Sequence, residues 1–181
     1  KFAIFGYGSS IMSHQVLTRL SKLNLTDPYE IRNIGMNNSG VEDFPNVTIT
    51  SSGARLSRSE METHARDIDI FLIFHPGNTY KLGCSASIFE ALSYQKPILH
   101  FDNDCINTYN TREMPIGLSA STIEEFADNM ANIVKDYDAF LSDRDDFISN
   151  IGKLRDVYSI ERSKEDIAKI FSWSDERERL H

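Results

Sequence analysis

The chain opens on a short apolar run, Phe2 to Phe5, that stops at Gly6-Tyr7-Gly8-Ser9-Ser10. An apolar run ended by small residues predicts a strand followed by a loop. Val16, Leu17, Leu20 and Leu23 then recur at helical spacing, which predicts a helix over about Ser13 to Leu23, broken by Asp27-Pro28. Tyr29 to Ile34 alternates as a second strand ahead of the loop Gly35 to Gly40, and Val47 to Thr50 is a β-branched third strand closed by Ser51-Ser52-Gly53. Ser57-Arg58-Ser59-Glu60 has the capping-box pattern and opens a helix through about Arg66. Ile68 to Phe74 is almost unbroken apolar sequence, as expected of a central parallel strand covered on both faces. His75-Pro76-Gly77-Asn78 ends it, because Pro cannot donate to a ladder and Gly and Asn favour turns. From Ser85 to Leu92 a helix begins, with a Ser at each plausible N-cap and Ile88, Ala91 and Leu92 at helical spacing. Pro97 precedes a further strand, Ile98 to Phe101.

Strands alternating with helices imply right-handed crossovers and a parallel sheet with helices on both faces. The expected fold is a doubly wound α/β domain of five strands, over residues 1–134. After Phe101 the pattern changes. Asp102 to Asn110 reads as a polar loop, and Ser121-Thr122-Ile123-Glu124-Glu125 starts a helix with Phe126, Met130 and Val134 on one face. Residues 135–181 supply further helices, over Tyr137 to Ile151 and Ile160 to Trp173, and a charged tail. These are expected to pack on the core or to reach a domain outside this chain.

With 181 residues, 40% of them hydrophobic and 25% charged, the chain has the composition of an ordinary globular domain. A net charge of −8 argues against a nucleic-acid partner, whose binding rests on basic surface, and against contact with an anionic membrane. No apolar run is long enough to span a bilayer. The two cysteines are too few for a disulfide framework and suggest a reducing, cytoplasmic setting. The chain starts inside a strand-like run without Met, as a fragment of a longer protein would.

In a doubly wound sheet, ligands sit at the carboxyl ends of the strands. Those ends carry Gly6 to Ser10, Gly35 to Asn38, Ser51 to Gly53, His75 to Asn78 and Asp102 to Asp104, all small or polar. The dinucleotide fingerprint fails, since no third glycine follows Gly6 and Gly8, and Asn33-Ile34-Gly35 offers no acid to a ribose. No Walker loop occurs. Gly83-Cys84-Ser85-Ala86-Ser87 lacks the closing glycine of a nucleophile elbow. The five histidines show no metal-ligand spacing, so no metal is expected, and His14, His64 and His100 read as structural or surface residues. Hydroxyl residues at a helix start beyond a buried strand make an anion site, although the same serines could simply cap the helix.

Tyr80, Ser85, Ser87, Glu90-Ala91-Leu92-Ser93 and Lys96-Pro97-Ile98-Leu99 resemble the nucleotide-binding stretch of the C-terminal domain of GT-B-fold glycosyltransferases. The resemblance implies a Rossmann-like domain that binds a nucleotide-sugar donor as substrate and needs no further cofactor. It places the donor diphosphate at Ser85, Ala86 and Ser87 and the ribose hydroxyls on Glu90. Gly6, Tyr7, Gly8, Ser9, Asn78 and Tyr80 are expected to complete the binding site, with no catalytic residue identified. It also implies a missing N-terminal domain that carries the acceptor site. Two departures stand out. Leu82 occupies the position of a Glu usual in retaining members, and the loop Gly6 to Ser10 lacks the Arg and Lys that neutralise a diphosphate. A nucleotide-sugar epimerase of the same fold and a non-catalytic nucleotide or interaction module are the alternatives.

Overall fold

The computed structural model describes residues 1–6, 8–35, 40–50, 56–79 and 85–178, with side chains described through residue 169. Its elements are β1 (Phe2–Phe5), α1 (Ser10–Ser21), β2 (Ile31–Ile34), β3 (Val47–Ile49), α2 (Arg58–Ala65), β4 (Ile70–Ile73) and α3 (Ala86–Ser93). There follow β5 (Ile98–Phe101), α4 (Asp104–Asn107), β6 (Gly117–Ala120), α5 (Ile123–Lys135), α6 (Tyr137–Val157) and α7 (Ile160–Glu178). All strands join one sheet in the order β3-β2-β1-β4-β5-β6. Every neighbouring pair is parallel, from Phe2 opposite Ile31 and Ile70 to Phe101 opposite Ala120. This is a Rossmann-like α/β sheet.

The strand count corrects the sequence expectation: among the described residues the sheet has six strands, not five. The sixth, Gly117-Leu118-Ser119-Ala120, has no β-branched residue to announce it. Its register against β5 depends on a glycine. A Cβ at Gly117 would lie 1.8 Å from the Ile98 carbonyl oxygen, so any side chain there would push the strands apart. The stretch read as polar loop also holds the short helix α4.

Alternate strand residues face two cores. Phe2, Ile4, Leu72, Phe74, Leu99 and Phe101 meet Val16, Leu17 and Leu20 of α1 and Phe126 and Met130 of α5. Ala3, Phe5, Phe71, Ile73 and Ile98 meet Ala65 of α2, Ile88, Ala91 and Leu92 of α3, and Ile151 and Leu154 of α6. Helices therefore cover both faces, and β1, β4 and β5 are buried at every position. Capping sets the helix starts. The Ser9 hydroxyl accepts from Met12 N–H at 3.3 Å, so α1 begins earlier than its apolar spacing predicts. At α2 the capping box is complete, with Ser57 N–H donating to the Glu60 carboxylate at 2.8 Å and Glu60 N–H to the Ser57 hydroxyl at 3.3 Å. Beyond α6, the side chains from Glu161 to Lys169 on α7 are exposed.

The amino-terminal ends of the strands carry charge. Arg32 donates to Glu30 at 2.6 Å, to the His64 carbonyl at 3.2 Å and to Asp67, and the Lys1 side chain reaches Asp67 at 2.6 Å. Tyr137 and Arg144 from α6 converge on Asp69. Hydrogen bonds from Arg32 and then Lys1 hold the Asp67 carboxyl well below the usual carboxylate range. No helix among the described residues is long and apolar enough to cross a membrane.

Candidate functional site

The strand order reverses direction between β1 and β4, and in such sheets the crevice for a ligand opens where the loops leaving those two strands part. A cavity of about 450 Å³ lies there, lined by Gly8, Ser9, Ser10 and Ile11 after β1 and by His75, Pro76 and Thr79 after β4. Its two walls are tied together, because Ser9 N–H donates to the Phe74 carbonyl at 2.7 Å. The space beside it is tight: a Cβ at Gly8 would stand 3.0 Å from the same carbonyl oxygen. A larger hollow of about 650 Å³, between α3 and the α6–α7 junction, touches none of the loops at the strand ends.

Helix α3 follows β4 and starts next to this crevice. Gly6, with φ +73°, lies under its first turn, where an added Cβ would be 2.0 Å from the Ser87 hydroxyl oxygen. Ser85 occupies the N-cap position but makes no capping hydrogen bond. Its hydroxyl is instead 2.8 Å from His75 Nε2, with the two residues 2% and 3% exposed. Simple capping by Ser85, one of the two sequence readings, is thereby excluded. Among the described residues no side chain caps the first-turn amides of α3, an arrangement that favours an anion. Burial lowers the pKa of His75 to about 4, so its imidazole is neutral near pH 7.

A residue from the neighbouring loop holds the rim in place. Asn103, 1% exposed, donates from Nδ2 to the carbonyls of Pro76 at 2.9 Å and Thr79 at 3.2 Å. Its Oδ1 accepts from the N–H groups of Cys105 at 3.0 Å and Ile106 at 3.3 Å, which caps α4. One amide thus fixes the loop after β4 to the loop after β5. Nearby, His100 is completely buried and fixed in one tautomer. Asn110 Oδ1 accepts from Ile116 N–H at 2.8 Å, which turns its Nδ2 donor toward His100 Nε2 at 2.8 Å; Nδ1 then carries the proton and donates to the Phe101 carbonyl at 2.8 Å. Burial holds the His100 pKa down as well.

Of the residues expected from sequence, Gly8 and Ser9 line the crevice, Gly6 lies against Ser87, and Ser85, Ala86 and Ser87 form the start of α3, which His75 joins to the crevice wall. Glu90 is exposed one turn along α3, where its charge acts on the Tyr94 hydroxyl together with Arg58 and Glu62 of α2. Asn78 is exposed on the turn between Pro76 and Thr79 and does not line the cavity. Tyr7 and Tyr80 fall outside the described residues, as do Leu82 and Cys84. Sequence reasoning placed His75 and Asn103 in loops at the carboxyl ends of strands but gave neither a role, and it passed over Thr79. His75 had a signal, a titratable residue at the end of the most apolar strand, but Asn103 is one polar residue in a polar run. None of the described lining residues carries a positive charge. The site can therefore offer an anion helix amides, hydroxyls and a neutral imidazole. Comparison of the chain with models of protein families and with curated proteins gives no match.

Proposed function

We propose that this chain is the donor-binding half of a GT-B-fold glycosyltransferase, which moves a sugar from a nucleotide-sugar donor to a glycan or other acceptor. One observation carries the reading. At the β1–β4 reversal, the uncapped start of α3 packs on Gly6 beside an open crevice. In this reading the donor diphosphate lies against the amides of Ala86 and Ser87, attracted by orphan N–H groups and the helix dipole. Glu90, exposed on the same helix, accepts hydrogen bonds from the ribose hydroxyls. Gly6 and Gly8 allow the loop after β1 to approach the ligand closely. The acceptor and its catalytic base belong to a second domain across the crevice. The lack of a positive charge among the described lining residues favours one second reading, a nucleotide-binding module without catalysis.

Thermal unfolding of the full-length protein with UDP, GDP, ADP, dTDP and their sugar conjugates tests the reading, with Glu90→Ala as the control. A ligand at a hundredfold excess over Kd stabilises the fold by about 2.7 kcal/mol. Stabilisation by one base series, lost in Glu90→Ala, is the expected outcome. Stabilisation by none of them would overturn nucleotide binding. A bound sugar nucleotide with no transfer to any glycan acceptor would favour the module.

A further inference from the structure

Two asparagines bracket α4. Asn103 ahead of it holds the crevice rim, and Asn110 behind it holds the approach to β6. Strand β6 lies at the edge of the sheet and pairs with β5 alone among the described strands. Outside that ladder, Asn150 donates to the Pro115 carbonyl at 2.9 Å, Asn129 to the Ser119 carbonyl at 3.2 Å, and Asn110 Oδ1 accepts from Ile116 N–H at 2.8 Å. The Asn110 contact is tied to a titratable group, because its Nδ2 donates to His100 Nε2 at 2.8 Å while His100 Nδ1 donates to the Phe101 carbonyl at 2.8 Å. Every group is satisfied while the ring is neutral. A proton at Nε2 would face the Nδ2 donor. Half a turn of the Asn110 amide would give that proton an acceptor but set Nδ2 against Ile116 N–H. Each orientation loses one hydrogen bond, so a protonated His100 and a held Ile116 exclude one another.

The ring sits in apolar surroundings. His100 is completely buried, opposite Ile73 on β4 and Ser119 on β6. Alternation along β5 turns it to the face of Ile98, where α3, α4 and α6 present Ile88, Ala91, Leu92, Ile106, Ile151 and Leu154. Tyr94, Tyr109 and Cys105 join that cluster and carry no charge in acid. The charged side chains of these elements and of the turn before β6, namely Glu90, Asp104, Arg112, Glu113, Lys153 and Arg155, are exposed. Burial holds the His100 pKa below its ordinary value, against the weaker opposing effects of the Phe101 carbonyl and of Asp102, which accepts from the Ser121 hydroxyl.

We propose that the His100–Asn110 contact is an acid-released latch: a proton from solvent at His100 Nε2 breaks it, and the segment from Asn110 to Ala120 leaves the sheet while β1 to β5 stay paired. Release bares the Ile98 and Asp102 N–H groups of β5, which donate to Ile116 and Ala120 when the latch is closed. In the open segment His100 regains an ordinary pKa near 6.5, whereas the closed latch holds it lower. The closed state is therefore favoured above about pH 6.5, and opening grows as pH falls below it.

Amide hydrogen exchange of the full-length protein from pH 7 to 5, corrected for the intrinsic pH dependence of exchange, reads the opening. Amides from Ile116 to Ala120 are expected to be less protected than those of β1 and β4, and to lose protection about tenfold per pH unit below about 6.5. In Asn110→Asp one carboxylate oxygen can accept from Ile116 N–H and the other from a protonated His100, so the acid loss should disappear while the segment stays protected. Should Asn110→Asp fail to fold, the His100 ring nitrogen resonances of the unmutated protein serve instead, with an imidazolium expected only where the Ile116 amide has lost its protection. An imidazolium at His100 beside a protected Ile116 amide overturns the latch. So does exchange of the β6 amides in step with those of β1 and β4 at every pH, or an acid loss that Asn110→Asp leaves unchanged.

Discussion

The two ends of the sheet use opposite chemistry. At the amino end, Arg32, Lys1, Glu30, Asp67, Asp69 and Arg144 pair as full charges within reach of solvent, from the Asp67 side chain at 47% exposed to Arg32 at 16%. At the carboxyl end, Ser9, His75, Ser85, Asn103 and His100 interact as neutral groups, all but Ser9 buried. Exposed ion pairs are screened and individually weak, so the amino end is tolerant of change. Buried neutral networks are costly to break, because each lost partner leaves a desolvated group behind. The buried carboxyl-end network is thus the costlier of the two to alter, and it lies beside the helix start that Ser85 leaves uncapped.

The largest expected effect comes from Asn103→Ala. It removes hydrogen bonds to Pro76, Thr79, Cys105 and Ile106 at once and strips the cap from α4. A loss of about 3 kcal/mol in chemical denaturation is expected. A loss below about 1 kcal/mol would mean that the rim is no costlier to alter than the charged end.

Acid separates the two ends next. His75 has a folded pKa of about 4 against 6.5 when unperturbed, so the unfolded chain takes the proton first. The associated stability is complete above about pH 6.5 and declines as pH falls toward about 4, by on the order of 3 kcal/mol. His100 adds a loss in the same direction. Asp67 is depressed instead, so its contribution persists through that window and disappears only as pH falls below the unperturbed value of 3.8. Urea midpoints measured from pH 7 to 3 should show the histidine loss first, reduced in His75→Gln. A single transition confined below pH 4 would refute the difference.

The smallest effect belongs to Arg32→Ala. A loss of about 1 kcal/mol is expected at low salt, shrinking in high salt. A salt-independent loss would show that Arg32 acts through the His64 carbonyl and not through its charge.

Much of this architecture is legible in the sequence. The first five strands announce themselves because buried parallel strands need apolar runs, as in Ile70 to Ile73, and the Ser57 capping box is written in adjacent residues. The sixth strand is not legible, because Gly117 serves closeness to β5 and none of the strand's residues is β-branched. The glycines and serines of the crevice can be found from composition alone. His75 and Asn103 cannot, since their importance comes from burial and from partners on other loops. Ser85 looks like a cap in sequence and is diverted only once His75 is beside it.

The crevice is also a seam in time. Residues from β1 through β3 form one half of the sheet and those from β4 through β6 the other, and the strands of the two halves pair where Phe2, Ala3 and Ile4 meet Ile70, Phe71 and Leu72. These segments are distant in the chain, so their pairing carries a loop-closure cost and belongs to the slow, late part of folding. The contacts that shape the crevice, Ser9 to Phe74 and Gly6 to Ser87, exist only after the halves have joined. A ligand seated across the seam cannot speed that joining. It acts on the way out, as a clamp that slows unfolding while leaving the folding rate almost untouched.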